Sequence, residues 1–394
     1  MRIESLEIHN YKVFKDVKIE KIPNFAVFVG KNGVGKTTLF DVFGFLHDCL
    51  QNNVRVALDR RGGFDEVISR DQSDYIGFVI KFRPEKDEPL VTYELKICLN
   101  NKKRPVVKQE RLRFRRGSRG KPWLVLDFSN GEGRAIDGEI KTFDDAKDID
   151  SRPEQKLDSP DILAIKGLGQ FRESTAIASL RRLIEQWQIF NFHIDEARER
   201  RPAADSSILS STGDNLSQVA KYIRDNYPEE FSIILARMKE RIPGVIQVTA
   251  EETVDHYIVL QFQDGAFKNP FSARYVSDGT MKMFTYLTLL YNPERYALLC
   301  IEEPENQLYP ELLCILAEEF RSYSQKGGQV FVSTHSPDFL DAIEPRELFI
   351  LTKKDGFTTV RFAANDENIV SLIQAGDKLG SLWNQRVLMA EDNQ

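Results

Sequence analysis

The stretch Phe25-Ala-Val-Phe-Val-Gly30-Lys31-Asn32-Gly33-Val34-Gly35-Lys36-Thr37-Thr38-Leu39 constrains this chain more than any other. Its apolar opening reads as a buried strand. The strand breaks into Gly30-x4-Gly35-Lys36-Thr37, the spacing of a phosphate-cradling P-loop. Glycines at these positions let backbone N–H groups turn inward toward a polyphosphate. A following helix aims its positive N-terminal end at the same anion. Lys36 is predicted to reach the terminal phosphates and the Thr37 hydroxyl to bind Mg²⁺. Leu39, Phe40, Phe43, Leu46 and Leu50 recur at helical spacing, so strand, loop and helix follow in the order the motif needs.

The 394 residues exceed what one compact core usually holds, so two lobes or domains are expected. A hydrophobic content of 41% and a charged content of 29% fit a soluble globular protein. The net charge of −6 means that any nucleic-acid contact must come from a local basic patch. Cys49, Cys98, Cys300 and Cys314 are scattered without metal-ligand spacing, which suits a reducing compartment. No apolar run reaches membrane-spanning length, and the charged start Met1-Arg-Ile-Glu-Ser-Leu-Glu-Ile is not a signal peptide. A cytoplasmic location away from any membrane is the expectation.

Ile3, Leu6 and Ile8 open a strand, Asn10 to Phe14 form a turn region, and Val17 begins a second strand. Between 75 and 128, short β-type runs separated by polar turns predict an antiparallel meander. Alternation within it sets Arg111, Arg113 and Arg115 on one face, next to Arg116, Arg119 and Lys121. That face reads either as a contact for a phosphate backbone or partner, or as a solvated strand surface. Residues 130–161 carry many acids and read as a long loop. Ile162 to Ile165 is predicted as a short strand leading to Gly169-Gln170. Helical stripes follow at Ala176–Trp187, from Leu216 and from Phe231, and strand patterns return at Val245–Val248 and Tyr257–Phe262. The predicted organisation is an N-terminal lobe over 1–165, a mostly helical insertion over 166–270 and a C-terminal lobe over 271–394.

The second chemical feature is Ala297-Leu-Leu-Cys-Ile301 running into Glu302-Glu303-Pro304-Glu305. A fully apolar run suits a central parallel strand, and carboxylates at its end fit a Walker B element. Glu302 would hold Mg²⁺, and Glu303 would position or deprotonate the attacking water. Pro310 starts a helix that ends near Gly327-Gly328. Val330-Phe-Val332 is the next strand and delivers His335, placed to reach a γ-phosphate. Upstream, Ser277 suits a helix N-cap before Asp278-Gly279-Thr280.

Taken together these motifs resemble the ABC-type ATPases of the SMC/RecF/OLD group, most closely the short bacterial AAA-like members without a coiled coil. The resemblance rests on Ile8 to Phe14, Gly30 to Thr37, Ser277 to Thr280, Ile301 to Pro310 and Ser333 to Pro337. It implies an α/β fold: an ABC-type P-loop ATPase head with a mixed and antiparallel β subdomain and an inserted helical lobe. It also implies a dimer or higher assembly closed on two ATP molecules, with Ser277 and Gly279 acting in trans on the partner's γ-phosphate. Lys12, Asn32, Gly33, Gly35, Lys36, Thr37 and Thr38 would bind nucleotide. Thr37, Glu302 and Gln170 would serve Mg²⁺, with Gln72 as a second candidate for the Gln170 role, and Glu303 and His335 would be catalytic. Departures are Glu302, where many ABC proteins have Asp, Tyr309, where His often precedes the proline, and the Ser-Asp-Gly-Thr form of the signature.

Two functions follow from this resemblance. In one, ATP-dependent dimerisation controls a nucleic-acid-directed partner, a nuclease or toxin encoded nearby, as in antiphage defence. In the other, the ATPase serves DNA repair or chromosome maintenance and binds DNA directly. A nucleotide-gated scaffold without turnover is disfavoured by an intact Glu303 and His335. A fused nuclease is not expected, because the segment after His335 holds a hairpin with an Asp355-Gly356 turn and a short tail. In that tail Leu379, Leu382 and Trp383 read either as a docking surface or as packing on their own domain.

Overall fold

The computed structural model describes residues 1–72, 74–85, 88–115, 122–136, 149, 152–170 and 175–389. Two units emerge, one from Met1–Trp187 with Arg346–Asn365, the other from Gln188–Pro345 with Asp366–Gln394.

In the first unit the predicted meander is present. Among the described residues it belongs to an eight-stranded antiparallel sheet. The strand order is Phe14–Glu20, Arg2–Tyr11, Ile76–Arg83, Val91–Leu99, Pro105–Phe114, Trp123–Ser129, Glu132–Ala135 and Gln155–Lys156. Period-two alternation sends Phe78, Ile80 and Phe82, and Tyr93, Leu95 and Ile97, to the buried face. Against that face lies the helix Lys36–Gln51, where the rings of Tyr11, Phe45 and Phe78 meet at centroid distances of 5.4 to 5.7 Å, Tyr11 and Phe78 edge to face.

The strand Phe25–Val29 is buried at every position and pairs in parallel with Leu348–Lys354, which turns back as Phe357–Phe362. Phe28 stacks on Phe349 at 5.3 Å and Phe349 on Phe362 at 4.8 Å. A strand near the N-terminus is thus seated beside a hairpin near the other end of the chain.

One local expectation fails. Ile162–Ile165 is not a strand; the chain forms the short helix Ala164–Leu168. The cause is Glu110, whose carboxylate accepts from the N–H groups of Ala164 at 2.6 Å and Ile165 at 3.2 Å. A buried acceptor on the neighbouring strand satisfies the helix's first donors, and this outweighs the β-branched local preference.

In the second unit the helices begin and end largely as their stripes predict: Leu216–Asn226, Pro228–Arg241, Asp278–Leu290 and Pro310–Gln325. Leu298–Glu302 pairs in parallel with Gln329–Thr334, both almost wholly buried. Val245–Glu252 and Tyr257–Asp264, where strands were expected, pair antiparallel with each other. The tail corrects the docking reading. Leu379 and Leu382 are 2% and 1% exposed, within the helix Leu379–Asn384. Gly380 allows the fit, because a Cβ there would lie 2.3 Å from the Pro337 carbonyl, and its N–H donates to Asp341 at 2.9 Å. Leu379 and Leu382 are thus spent on their own unit, while Trp383 is partly exposed.

Candidate functional site

In the first unit the P-loop has its expected backbone. Gly33 and Gly35 adopt φ of +76° and +109°, values that side chains resist. Gly35 is the left-handed N-cap of the helix Lys36–Gln51. A methyl at Gly35 would stand 2.8 Å from Val13 Cγ2, so glycine is needed for space as well as for φ. The Lys36 ammonium folds back on its own loop, donating to the Gly30 carbonyl at 2.7 Å and more weakly to Lys31 at 3.4 Å. Asn32, Gly33 and Thr37 are exposed and Thr38 partly so. The buried Lys36 ammonium and the exposed Thr37 hydroxyl thus stand together at the N-terminal end of this helix.

Lys12 occupies the left-handed turn after the first strand, at φ +49°. Its ammonium pairs with Asp41 at 2.5 Å. Asp41 also accepts from Tyr11 at 2.7 Å and pairs with Arg61 at 2.8 Å. Burial opposes the charge on Asp41, but Arg61 and the Lys12 and Tyr11 hydrogen bonds hold its carboxyl below the usual range. Lys12 is thus fixed by a carboxylate on the P-loop helix, a partner its sequence context does not reveal. Gln170 is exposed after a helix, so the strand from which its role was argued is absent. Gln72, the weaker candidate, lies in a turn.

The basic strand is largely neutralised. Arg111 pairs with Asp127 at 2.9 Å and Arg113 with Glu94 at 3.1 Å, each from an adjacent strand. Arg116, Arg119 and Lys121 lie outside the described residues.

In the second unit parallel pairing sets Glu302 opposite Ser333, and the Glu303 N–H donates to the Ser333 carbonyl at 2.9 Å. Adjacent parallel strands end together, which brings their following residues to one edge. Glu303 turns there at φ +43°. Its carboxylate lies 3.6 Å from His335 Nδ1 and accepts from Asn306 at 3.2 Å. Glu305, with only 8% of its side chain exposed, is closer to the histidine. It lies 3.3 Å from His335 Nδ1 and accepts from the His335 N–H at 2.9 Å and the Thr334 hydroxyl at 2.8 Å.

Behind them Lys282 is 2% exposed on the helix Asp278–Leu290. Burial pulls its ammonium down to about 8, with Glu305 and then Glu303 acting in the opposite direction. Lysine inside the apolar run Met281-Lys282-Met283-Phe284 is the sequence anomaly that marks it. Likewise Glu110 was findable as a carboxylate in the inward phase of its strand.

Ser277 caps this helix, its Oγ accepting from the Thr280 N–H at 3.3 Å. Asp278 is held by Arg198. Gly279 is partly exposed, and the carbonyl of Gln307 lies 3.7 Å from where its Cβ would be, so the signature turn and the loop after Glu303 are neighbours. The unit thus joins the predicted acids, the histidine and the signature turn. Among the described residues no cluster of three metal-ligating side chains forms. No helix among the described residues is long and apolar enough to cross a membrane.

Comparison with known proteins gives the same fold. The chain is similar to a crystal structure of an SmcHead bound to the C-winged helix domain of ScpA, at 14% identity and TM-score 0.56, over 92% of this chain and 98% of that one. A second similar structure is an Smc head domain with an extended coiled coil bound to the C-terminal domain of ScpA, derived from Pyrococcus furiosus. It is 14% identical with TM-score 0.53, over 94% of this chain and 99% of that one. These show the ABC-type head fold of SMC proteins. Residues 25–341 match a family described as "AAA domain, putative AbiEii toxin, Type IV TA system". The match spans the P-loop, the signature, the acidic strand end and His335, and the chain belongs to this AAA-domain family of P-loop ATPases.

Proposed function

We propose that the chain hydrolyses ATP with Mg²⁺ in a cycle of dimer closure and opening that regulates a nucleic-acid-directed partner, a nuclease or toxin, in bacterial antiphage defence. Lys36 and the N–H groups of Gly33 and Gly35 hold the phosphates. Thr37 and Glu302 supply oxygens for Mg²⁺, which when bound offsets charge on the phosphates. Glu303 takes a proton from the attacking water, and His335 faces the γ-phosphate. Ser277 and Gly279 serve the nucleotide of a second copy.

The observation that carries this reading is the pairing of Glu303 with His335 at the common end of two parallel strands. A solvated acidic turn would not be backed by a second, buried carboxylate on the same histidine. The partner class is supported by the family's toxin description and the ScpA complexes of the SMC heads. Direct DNA binding through Arg111 and Arg113 is disfavoured by the carboxylates already on them.

The test is Lys36→Ala. Removing the P-loop cation from a desolvated polyphosphate should abolish ATP binding in calorimetry and phosphate release with it. Unchanged affinity would overturn the reading.

A further inference from the structure

Thr358 stands far from the P-loop in sequence and against it in space. It is 2% exposed, near the start of the hairpin strand Phe357–Phe362. Its hydroxyl donates to the Val34 carbonyl at 2.5 Å and its N–H to the Val13 carbonyl at 2.9 Å. The same hydroxyl lies 3.0 Å from where a Cβ of Gly35 would be.

The consequence follows from peptide geometry. In a trans peptide the C=O and the next N–H point to opposite sides. With the Val34 carbonyl fixed on Thr358, the Gly35 N–H must face away from the hairpin. Left-handed Gly35 leaves that peptide plane otherwise soft, because glycine has no side chain to hold it. Other loop carbonyls are similarly engaged: Gly30 accepts from Lys36, and Lys31 from the Val34 N–H at 3.2 Å. Carbonyls tied back in this way leave N–H groups free for an anion.

We infer that Thr358 is a positioning residue for nucleotide binding: its hydroxyl sets the Val34–Gly35 peptide so that the Gly35 N–H is presented to phosphate. This rests on the ATPase reading above. Its second bond, to Val13, fixes the turn that carries Lys12 to the same brace.

The test uses the full chain with MgATP in calorimetry and steady-state turnover. Thr358→Val keeps the shape and removes the donor. It should weaken ATP binding about tenfold and raise KM similarly, with kcat changed less than about twofold. Thr358→Ser, which restores the hydroxyl, should bind within about twofold of the wild type. A residue that only supported the fold would lower Tm and leave the Kd of the folded protein unchanged. Wild-type affinity in Thr358→Val, or equal losses in the valine and serine variants, would overturn the inference. If the valine variant does not fold, Thr358→Ala against Thr358→Ser gives the same comparison. Absence of ATP binding in the wild type would instead overturn the underlying reading.

Discussion

Glu303 is the residue on which the proposed chemistry turns, and its backbone is unusual for a glutamate. A φ of +43° costs a side-chain-bearing residue roughly 1 kcal/mol or more. The Ser333 carbonyl, the Asn306 amide and His335 hold it there. Glu303→Gln keeps the shape and removes the base. It should bind ATP with near wild-type affinity, lower turnover by at least about a hundredfold, and accumulate as an ATP-bound dimer on size exclusion. Undiminished turnover would move the role to Glu302 or His335. At this scale the sequence was most informative where chemistry dictates spacing: Gly30 to Thr37, and two acids after an apolar pentad. It was silent on partners brought together by folding. Nothing near Lys12 in sequence indicates that Asp41 clamps it.

Among elements, the short helix Ala164–Leu168 shows why local pattern can mislead. Ile162, Leu163 and Ile165 favour a strand, but the carboxylate of Glu110, delivered by a distant strand, caps a helix instead. Burial raises Glu110 to about 7, against the lowering effect of the Ala164, Ile165 and Tyr93 bonds. The folded state therefore keeps its proton while the unfolded carboxyl, near 4.5, loses it. Between those values the unfolded chain binds fewer protons, so this group's contribution to stability falls as pH rises from about 4.5 to 7. The whole effect is on the order of 3 kcal/mol at 1.36 kcal/mol per unit. Glu110→Gln has no carboxyl to titrate and should remove that fall, although its one amide oxygen replaces the two carboxylate oxygens that accept separately from Ala164 and Ile165. Urea unfolding at pH 5 and pH 8 checks this. Parallel wild-type and variant profiles would refute it. The long periodic helices and the meander were legible because burial on one face dictates their repeats. The Arg111–Arg115 face was equally legible as a pattern, yet its reading waited on the cross-strand Asp127 and Glu94.

At the scale of the whole molecule, the proposal that Ser277 and Gly279 serve a second copy has a mixing test. Ser277→Arg leaves the chain's own P-loop intact and should bind ATP, while Lys36→Ala should not. Each should be inactive alone. Mixed, they form a heterodimer with one site lacking both groups and one lacking neither, so partial phosphate release is expected. A dead mixture despite demonstrated heterodimers would mean action in cis or strict coupling of the sites. Specific activity that persists down to a proven monomer would reject the dimer cycle. The Thr358 brace also has a consequence for how the protein is made. Thr358 follows Val34 by 324 residues. At a synthesis rate of roughly 5–20 residues per second, the ribosome needs on the order of 15 to 65 seconds between the two. Throughout that interval the nascent Gly30–Thr37 loop lacks the donor that sets its peptide, so a half-made chain would capture cellular ATP poorly. The loop would reach its full affinity for nucleotide only after the later-made strands have joined the early ones.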